Sequence, residues 1–136
     1  MAVTKDSSRQ KSLWAFKRFT YAQLGADVDS DSQEMFDIPY NAIVIGGEIV
    51  VTTAWVGPTV ATLSLGDGGS ATRYLSTTNL KSAARTALTL TGYKYTSHDT
   101  IDGTRNLTVA VATAGEAYIA IEYIIEGRIE ENELQT

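Results

Sequence analysis

The sequence contains no cysteine. Disulfide bridges, thiolate-bound metals, iron–sulfur clusters and cysteine nucleophiles are therefore excluded, and packing and backbone pairing alone must hold the fold. The chain also lacks an apolar run of the roughly 18 to 20 residues that a membrane-spanning helix needs. Its first residues are polar where a secretory signal peptide would be apolar, so we expect a protein made in the cytoplasm and not secreted.

Histidine is almost absent, and this limits the chemistry available to the chain. The single histidine, His98, precedes Asp99 and Asp102 in a polar segment. One imidazole and two carboxylates form an uncommon zinc site without a second His or a Cys. No distinctive serine motif accompanies His98, so a Ser/His/Asp triad is not indicated. We predict no catalytic residue, no metal ligand and no cofactor, while an ion at the His98 loop stays open.

A second acidic segment alternates aspartates in the manner of a calcium loop. It contains Asp27, Asp29 and Asp31, but Ser32 and Ile38 stand where an EF-hand needs Gly and Glu. The composition favours a solvated loop without regular structure. A weaker calcium site outside the EF-hand type remains an open alternative.

The balance of charge argues against a nucleic-acid partner. The 136 residues include 11 basic and 16 acidic side chains, a formal net charge of -5, whereas phosphate binding needs a basic contact face. The basic residues are nevertheless concentrated near the N-terminus, and residues 128–136 are rich in glutamate. We predict a basic N-terminal arm over residues 1–11 and an acidic C-terminal tail over residues 128–136, both suited to reaching another protein.

Between these ends the dominant pattern is period-two alternation with many β-branched and aromatic residues, which is typical of strands. Short predicted strands separated by Gly-rich turns favour one all-β domain over residues 12–127, an antiparallel β-sandwich with jelly-roll-like topology. The predicted strands cover residues 13–21, 34–38, 42–56, 60–65, 87–90, 93–95, 105–112 and 116–126.

Several local features are predicted less uniquely. The segment 13–21 also has apolar residues at helical spacing, and Gly46-Gly47 allows either one bent strand or two strands across 42–56. Turn residues favour a hairpin between 54 and 65, and a long C-terminal hairpin between 105–112 and 116–126. Alanines and a capping candidate favour one or two helical turns at 79–85.

Four stretches of strand and turn residues carry a resemblance to a known family. They are Phe36-Asp37-Ile38-Pro39 with 42–55, 63–75, Leu90-Thr91-Gly92-Tyr93-Lys94-Tyr95, and 114–128. Together they are similar to small virion structural proteins of tailed bacteriophages, in particular capsid decoration, or cement, proteins. The similarity covers roughly residues 34–128.

This resemblance implies a jelly-roll or related sandwich without catalytic residues. It also implies a homotrimer on the outside of the head that clamps neighbouring major capsid subunits, with the N-terminal arm as the anchor. The expected partners are the major capsid protein and further copies of the chain, with no nucleic acid and no membrane. The candidate capsid contacts are Lys5, Arg9, Lys11, Lys17 and Arg18.

Two alternatives remain at this point. One is a tail or fibre component of the virion. The other is a carbohydrate- or receptor-binding sandwich whose stacking residues would be Trp55, Tyr74, Tyr93 and Tyr95, which requires these rings to lie on the surface. The strand over 117–125 is apolar on both faces, which predicts that a neighbouring subunit covers one of them.

Overall fold

The structure is a computed structural model that describes residues 9–127. Within this range eight strands and one helical turn follow one another along the chain. In order they are β1 (Leu13–Thr20), α1 (Tyr21–Leu24), β2 (Ser30–Ile38), β3 (Ala42–Val56), β4 (Val60–Gly66), β5 (Leu75–Asn79), β6 (Arg85–Ala87), β7 (Asp99–Thr108) and β8 (Ala114–Ile125).

The strands form two four-stranded antiparallel sheets. Sheet A has the order β1-β8-β3-β6, and sheet B has the order β2-β7-β4-β5. The pairs β1 with β8, β2 with β7, β3 with β6 and β4 with β5 are nested around the middle of the chain, and successive pairs alternate between the sheets. This nested arrangement is a jelly roll, so the predicted fold class and topology are confirmed.

The core lies between the two sheets. In β8, Ala117, Ile119 and Ile121 are fully buried, while the residues between them are partly exposed. Because side chains alternate across a strand, the buried set faces sheet B and the others form the outer face of sheet A. Each fully buried side chain of this size contributes about 1.5 to 3 kcal/mol relative to exposure.

The Gly46-Gly47 pair lies in one long strand, β3, whose pairing with β8 shifts register between Val44 and Gly46. Gly47 has a φ of 144°, and a Cβ there would lie 2.5 Å from the carbonyl oxygen of Ala120. Glycine is therefore required where β8 approaches the bend. Of the two alternatives for this segment, the single bent strand is confirmed.

Both predicted hairpins are wrong. β3 and β4 lie in different sheets, and so do β7 and β8. The short connections after Val56 and after Thr108 cross from one sheet to the other instead of folding a strand back beside its neighbour. Alternation of apolar residues is the same in both arrangements, so the sequence pattern does not distinguish them.

Three further local predictions are settled by tertiary contacts. Segment 13–21 forms a strand as far as Thr20, and Thr20 and Gln23 then cap the single turn of α1. The helical turns predicted at 79–85 are wrong, because β5 runs to Asn79 and the backbone N–H of Leu80 bonds to the carbonyl of Ala61. The predicted acidic loop is partly wrong, because β2 already begins at Ser30.

Candidate interaction surface

The outer face of sheet B is polar throughout its centre. Register places hydroxyl, amide and carboxylate side chains of β7 beside similar ones of β2 and β4. Ser32 and Thr104, for example, share a hydrogen bond of 2.7 Å between their hydroxyl oxygens. We call this surface the sheet B outer face, and it consists of Ser30, Ser32, Glu34, Thr62, Ser64, Asp102, Thr104, Asn106 and Thr108, with the exposed Val60 opposite Thr108 at one end.

The outer face of sheet A has the opposite character. Trp14 and Phe16 of β1 are 61% and 58% exposed, although large aromatic side chains are usually covered. They lie opposite Glu122 and Ala120 of β8. We call this surface the sheet A outer face, and it consists of Trp14, Phe16, Arg18, Ile43, Glu48, Val50, Arg85, Ala87, Glu116, Tyr118, Ala120, Glu122 and Ile124.

An aromatic and cationic cluster occupies the β1–β8 side of this face. The ring centroids of Phe16 and Tyr118 are 5.0 Å apart. The guanidinium of Arg18 lies 5.9 Å from the Phe16 centroid and 5.2 Å from the Tyr118 centroid, within the range of cation–π attraction. Its Nη1 is also 3.7 Å from a carboxylate oxygen of Glu116. The cluster is thus held in place before any partner binds.

The other carboxylates of the sheet A outer face also have partners within the chain. Glu48 accepts hydrogen bonds from Arg85, with an Nη2–Oε1 distance of 2.8 Å. The hydroxyl of Ser12 donates to the carboxylate of Glu122. The face therefore presents rings and aliphatic side chains among two arginine–glutamate pairs and Glu122, whose charge the hydroxyl does not neutralise.

A cleft of about 310 Å³ opens at the free edge between the two sheets. Phe19, Leu24 and Met35 supply buried apolar side chains at its wall. Polar side chains from β1, α1 and β2 line the rest, namely Lys17, Gln23, Gln33 and Glu34. One lysine and one glutamate on opposite strands give this cleft no excess of charge.

The predicted capsid contacts do not form one surface. Arg9 and Lys11 are exposed in the segment that precedes β1, whereas Lys5 lies outside the described residues. Lys17 lines the edge cleft, and Arg18 joins the aromatic cluster of the sheet A outer face. Adjacent residues of a strand point to opposite sides, and this separates the last two.

Sequence reasoning missed two highly exposed aromatic residues, Trp14 and Phe16, and their half-buried neighbour Tyr118. The signal was present, because Trp14, Phe16 and Arg18 alternate along β1 and must share one face of any strand. The sequence of β1 alone did not indicate which of its faces the second sheet covers, since apolar residues occur at both odd and even positions.

The stacking residues of the carbohydrate-binding alternative are mostly buried. Trp55, Tyr74 and Tyr95 are at most 2% exposed and belong to the core. Tyr93 is partly exposed, but the guanidinium of Arg73 covers its ring at 3.7 Å from the centroid. The version of that hypothesis built on these four residues is therefore wrong.

These tyrosines instead belong to a buried polar network around Asp67. The hydroxyl of Tyr95 donates to Asp67 at 2.7 Å, so the hydroxyl of Tyr74 supplies the proton shared between the two tyrosines at 2.6 Å. Arg73 Nε also donates to Asp67, at 2.5 Å. Backbone N–H groups of Gly69 and Ser70 complete the shell of donors around this carboxylate.

The network shifts the pKa values of its members. Burial alone would raise the pKa of Asp67, but hydrogen bonds from Arg73, Tyr95, Ser70 and Gly69 outweigh it, so the pKa lies below its ordinary value. Burial, together with the bonds to Tyr74 and Asp67, raises the pKa of Tyr95. Asp67 is therefore held ionised and both tyrosines are held neutral across the ordinary pH range.

The aspartates of the proposed calcium loop face a cation supplied by the chain itself. Arg105 of β7 is 2% exposed and donates to the carbonyl oxygens of Leu24, Asp27 and Asp29. Its Nη1 lies 2.5 Å from Asp29 Oδ1, and its Nη2 lies 3.9 Å from Asp31 Oδ2. The guanidinium thus occupies the position where a bound ion would neutralise these carboxylates.

Among residues 9–127, no group of three or more His, Cys, Asp or Glu side chains is arranged to hold a metal. His98 is exposed just before β7. Asp99 and Asp102 accept hydrogen bonds from the backbone and hydroxyl of Thr100, respectively. In the same part of the chain, no helix has the length and apolar character to cross a membrane.

Comparison with known proteins gives matches in structure only. Neither a protein-family model nor a curated protein sequence matches the chain. A chain of the cyanophage Pam1 capsid asymmetric unit matches with a TM-score of 0.67 and 21% identity, over 92% of this chain and 91% of that one.

Two other capsid structures contain similar chains. One is the acidic stable capsid of Helicobacter pylori bacteriophage KHP30, with a TM-score of 0.63 and 14% identity over 84% of this chain and 87% of that one. The other is the capsid of Ralstonia phage GP4, with a TM-score of 0.58 and 15% identity over 94% and 92%. The chain therefore shares its fold, over nearly its whole length, with chains from three bacteriophage capsids.

Proposed function

We propose that this chain is a structural protein of a phage virion that binds the outside of the capsid and stabilises it by bridging major capsid subunits. The observation that carries the proposal is the shared fold, which extends over 84% to 94% of the chain in three capsid structures. Because one fold can serve many functions, the surface must supply independent support.

The surface supports a role in binding rather than in chemistry. Contiguous exposed apolar side chains mark interaction sites on soluble proteins, and the sheet A outer face exposes Trp14 and Phe16 beside Tyr118. The titratable network around Asp67 is buried, and its acid is held by four donors. It therefore serves the fold and offers no group to a substrate.

The anchoring part of the proposal concerns the N-terminal arm. The side-chain amide of Gln10 bonds to the backbone of Ile125 in both directions, at 2.6 Å and 3.0 Å, and this holds the segment before β1 against the end of β8. Arg9 and Lys11 flank this point and are exposed. In this proposal Lys5, Arg9, Lys11, Lys17 and Arg18 contact the shell, and the chain assembles as a homotrimer.

A particle-binding experiment tests the function. Capsids that lack this chain are incubated with the purified protein, and cryo-electron microscopy measures its occupancy and position. We expect density on the outside of the head, across the boundaries between major capsid subunits, and a higher temperature for capsid disruption. Density on the tail or fibres would favour the alternative virion component, and absence of binding would contradict the proposal.

A truncated protein tests the arm in the same assay. Removing residues 1–8 and replacing Arg9 and Lys11 by Glu should lower occupancy at least tenfold, because it reverses the charge of the anchor. A variant with Lys81→Glu, whose exposed lysine lies in the β5–β6 turn, is the control for charge reversal away from the arm. Equal occupancy of the truncated protein and the control would remove the arm from the proposal.

A further inference from the structure

We infer that the sheet A outer face is the surface through which copies of this chain pack against one another. The inference rests on the self-association contained in the proposed function, and it assigns that association to named residues. Its first support is the contrast between the two outer faces of the sandwich. One face is covered by hydroxyl, amide and carboxylate groups, and the other exposes rings and aliphatic side chains.

Charge identifies a second copy as the occupant. With a formal net charge of -5, two copies repel each other across most of their surfaces. On the sheet A outer face, however, Glu116 is paired with Arg18 and Glu48 with Arg85. Glu122 accepts a hydrogen bond from the Ser12 hydroxyl but keeps its charge, so the face carries one net negative charge and a like-charged copy meets only weak repulsion there.

The position of the basic residues separates this face from the capsid contacts. Arg9 and Lys11 precede β1, and Lys17 lines the edge cleft, so most of the basic side chains near the N-terminus lie outside the sheet A outer face. Arg18 is the exception among the five basic residues proposed above as shell contacts: it lies in this face against Glu116 and two rings, and the inference assigns it to the subunit interface instead. A shell contact at the arm therefore leaves this face available to another subunit.

The size of the face fits an interface at the small end of the specific range. Pairing of β1, β8 and β3 over eight to twelve residues, at about 3.4 Å per residue and about 4.8 Å between strands, gives a footprint of roughly 400 to 600 Å², to which the three residues of β6 add little. A standard interface buries about 800 Å² per partner. The exposed pair Trp14 and Phe16 lies within this footprint. Aromatic side chains are among those that contribute most to binding at protein interfaces.

Measurement of mass in solution tests the inference. Sedimentation velocity at several concentrations should show a multiple of 14.7 kDa for the unaltered chain. Phe16→Glu places an additional carboxylate in the apolar patch and should weaken association at least a hundredfold. Asn106→Glu adds the same charge to the exposed sheet B outer face and should leave the mass unchanged. Circular dichroism establishes that each variant is folded, and Trp14→Ser is the second variant should Phe16→Glu fail to fold.

The absence of cysteine allows a cross-linking test without background. Phe16→Cys and the control Asn106→Cys are each treated with a short bifunctional thiol reagent in dilute solution. We expect covalent dimers from Phe16→Cys and monomers from Asn106→Cys, because one thiol per chain can be joined to one other chain only. Covalent dimers from the control alone would overturn the assignment, as would equal masses for Phe16→Glu and the unaltered chain.

Other occupants of the face give distinct results. If the unaltered chain is a monomer at every concentration reached, the inference is overturned. If that monomer binds capsids and Phe16→Glu does not, the face belongs to the capsid subunit, and the proposed function survives. If it binds an immobilised polysaccharide through Phe16 and ignores capsids, the inference and the proposed function fail together. An oligomer that does not bind capsids upholds the inference and contradicts only the proposed function.

Discussion

Among residues 9–127, two charged side chains, Asp67 and Arg105, are buried in a core that is mostly apolar. Each is surrounded by partners of opposite polarity. Asp67 accepts bonds from two side chains and two backbone groups, while Arg105 donates to three carbonyls and faces Asp29. Burial of a charge is tolerated only with such compensation, so each residue holds a loop in place around itself.

Asp67→Asn should destabilise the fold by about 2 to 4 kcal/mol, because it removes the carboxylate that pairs with Arg73 and accepts the hydrogen bond of the Tyr95 hydroxyl. It should also change the response to acid. A carboxylate whose pKa is lowered on folding stabilises the native state above the unfolded pKa, and that stability is lost as pH falls through the folded pKa.

Urea unfolding at a series of pH values checks this prediction. Because the pKa of Asp67 lies below its ordinary value of 3.8, the unaltered chain should lose stability as the pH falls below about 4. Asp67→Asn should show a shallower loss over the same interval. If the unfolding free energies of the two proteins fall in parallel with pH, Asp67 does not cause the loss of stability in acid.

Arg105→Met should loosen the connection between α1 and β2. Methionine fills much of the space but donates no hydrogen bond to Leu24, Asp27 or Asp29, and the expected loss is about 2 to 4 kcal/mol. Hydrogen exchange should show faster exchange at residues 25–31 than elsewhere. Addition of millimolar calcium should restore little of this stability, and full rescue by calcium would show that the aspartates form an ion site.

At the scale of elements, β8 organises the molecule, because it lies between β1 and β3 and presents Ala117, Ile119 and Ile121 to the core. The first residues of β8 pack closely against the core. Gly115 has a φ of 150°, and a Cβ there would lie 2.4 Å from Cδ2 of the buried Trp55 ring. The start of β8 and the end of β3 are thus matched in shape as well as in pairing.

Gly115→Ala should destabilise the protein by about 2 to 4 kcal/mol, because both the backbone conformation and the space favour glycine. Thermal unfolding followed by tryptophan fluorescence, in the background of Trp14→Phe so that Trp55 is the one tryptophan, measures the change. Gly127→Ala is the matched control, since Gly127 also has a positive φ, of 87°, but within residues 9–127 no atom beyond its chain neighbours lies within 4 Å of the added Cβ. Similar losses in both variants would show that strain in the backbone, and not the Trp55 ring, is responsible.

The elements were predicted unevenly, for a physical reason. Alternation identified β3, β4 and β8 because each of them alternates between core and solvent along most of its length. β2 was predicted too short, because Arg105 compensates the aspartates that discourage a strand. Both hairpins were mispredicted, because local turn residues do not record whether a chain folds back within a sheet or crosses to the other one.

The whole molecule divides its two outer faces between separate tasks, and this separation can be tested. Phe16→Glu changes a side chain that is 58% exposed, so it should alter the unfolding free energy of the monomer by less than about 1 kcal/mol while it abolishes association. Ile119→Ala removes a fully buried side chain and should cost about 2 to 5 kcal/mol. Unfolding curves in dilute solution compare the two variants, and a large loss in Phe16→Glu would mean that the face serves the fold.

The sequence by itself determined the secondary structure class and the sandwich, because alternation and β-branched residues specify strands that are covered on one side. It also excluded thiol chemistry. The tertiary structure alone decided which strands pair, which aromatic residues are buried and which cation lies against Asp29 and Asp31. Those outcomes depend on contacts between distant residues, such as Arg105 with Asp29 and Tyr95 with Asp67, and local patterns carry no information about them.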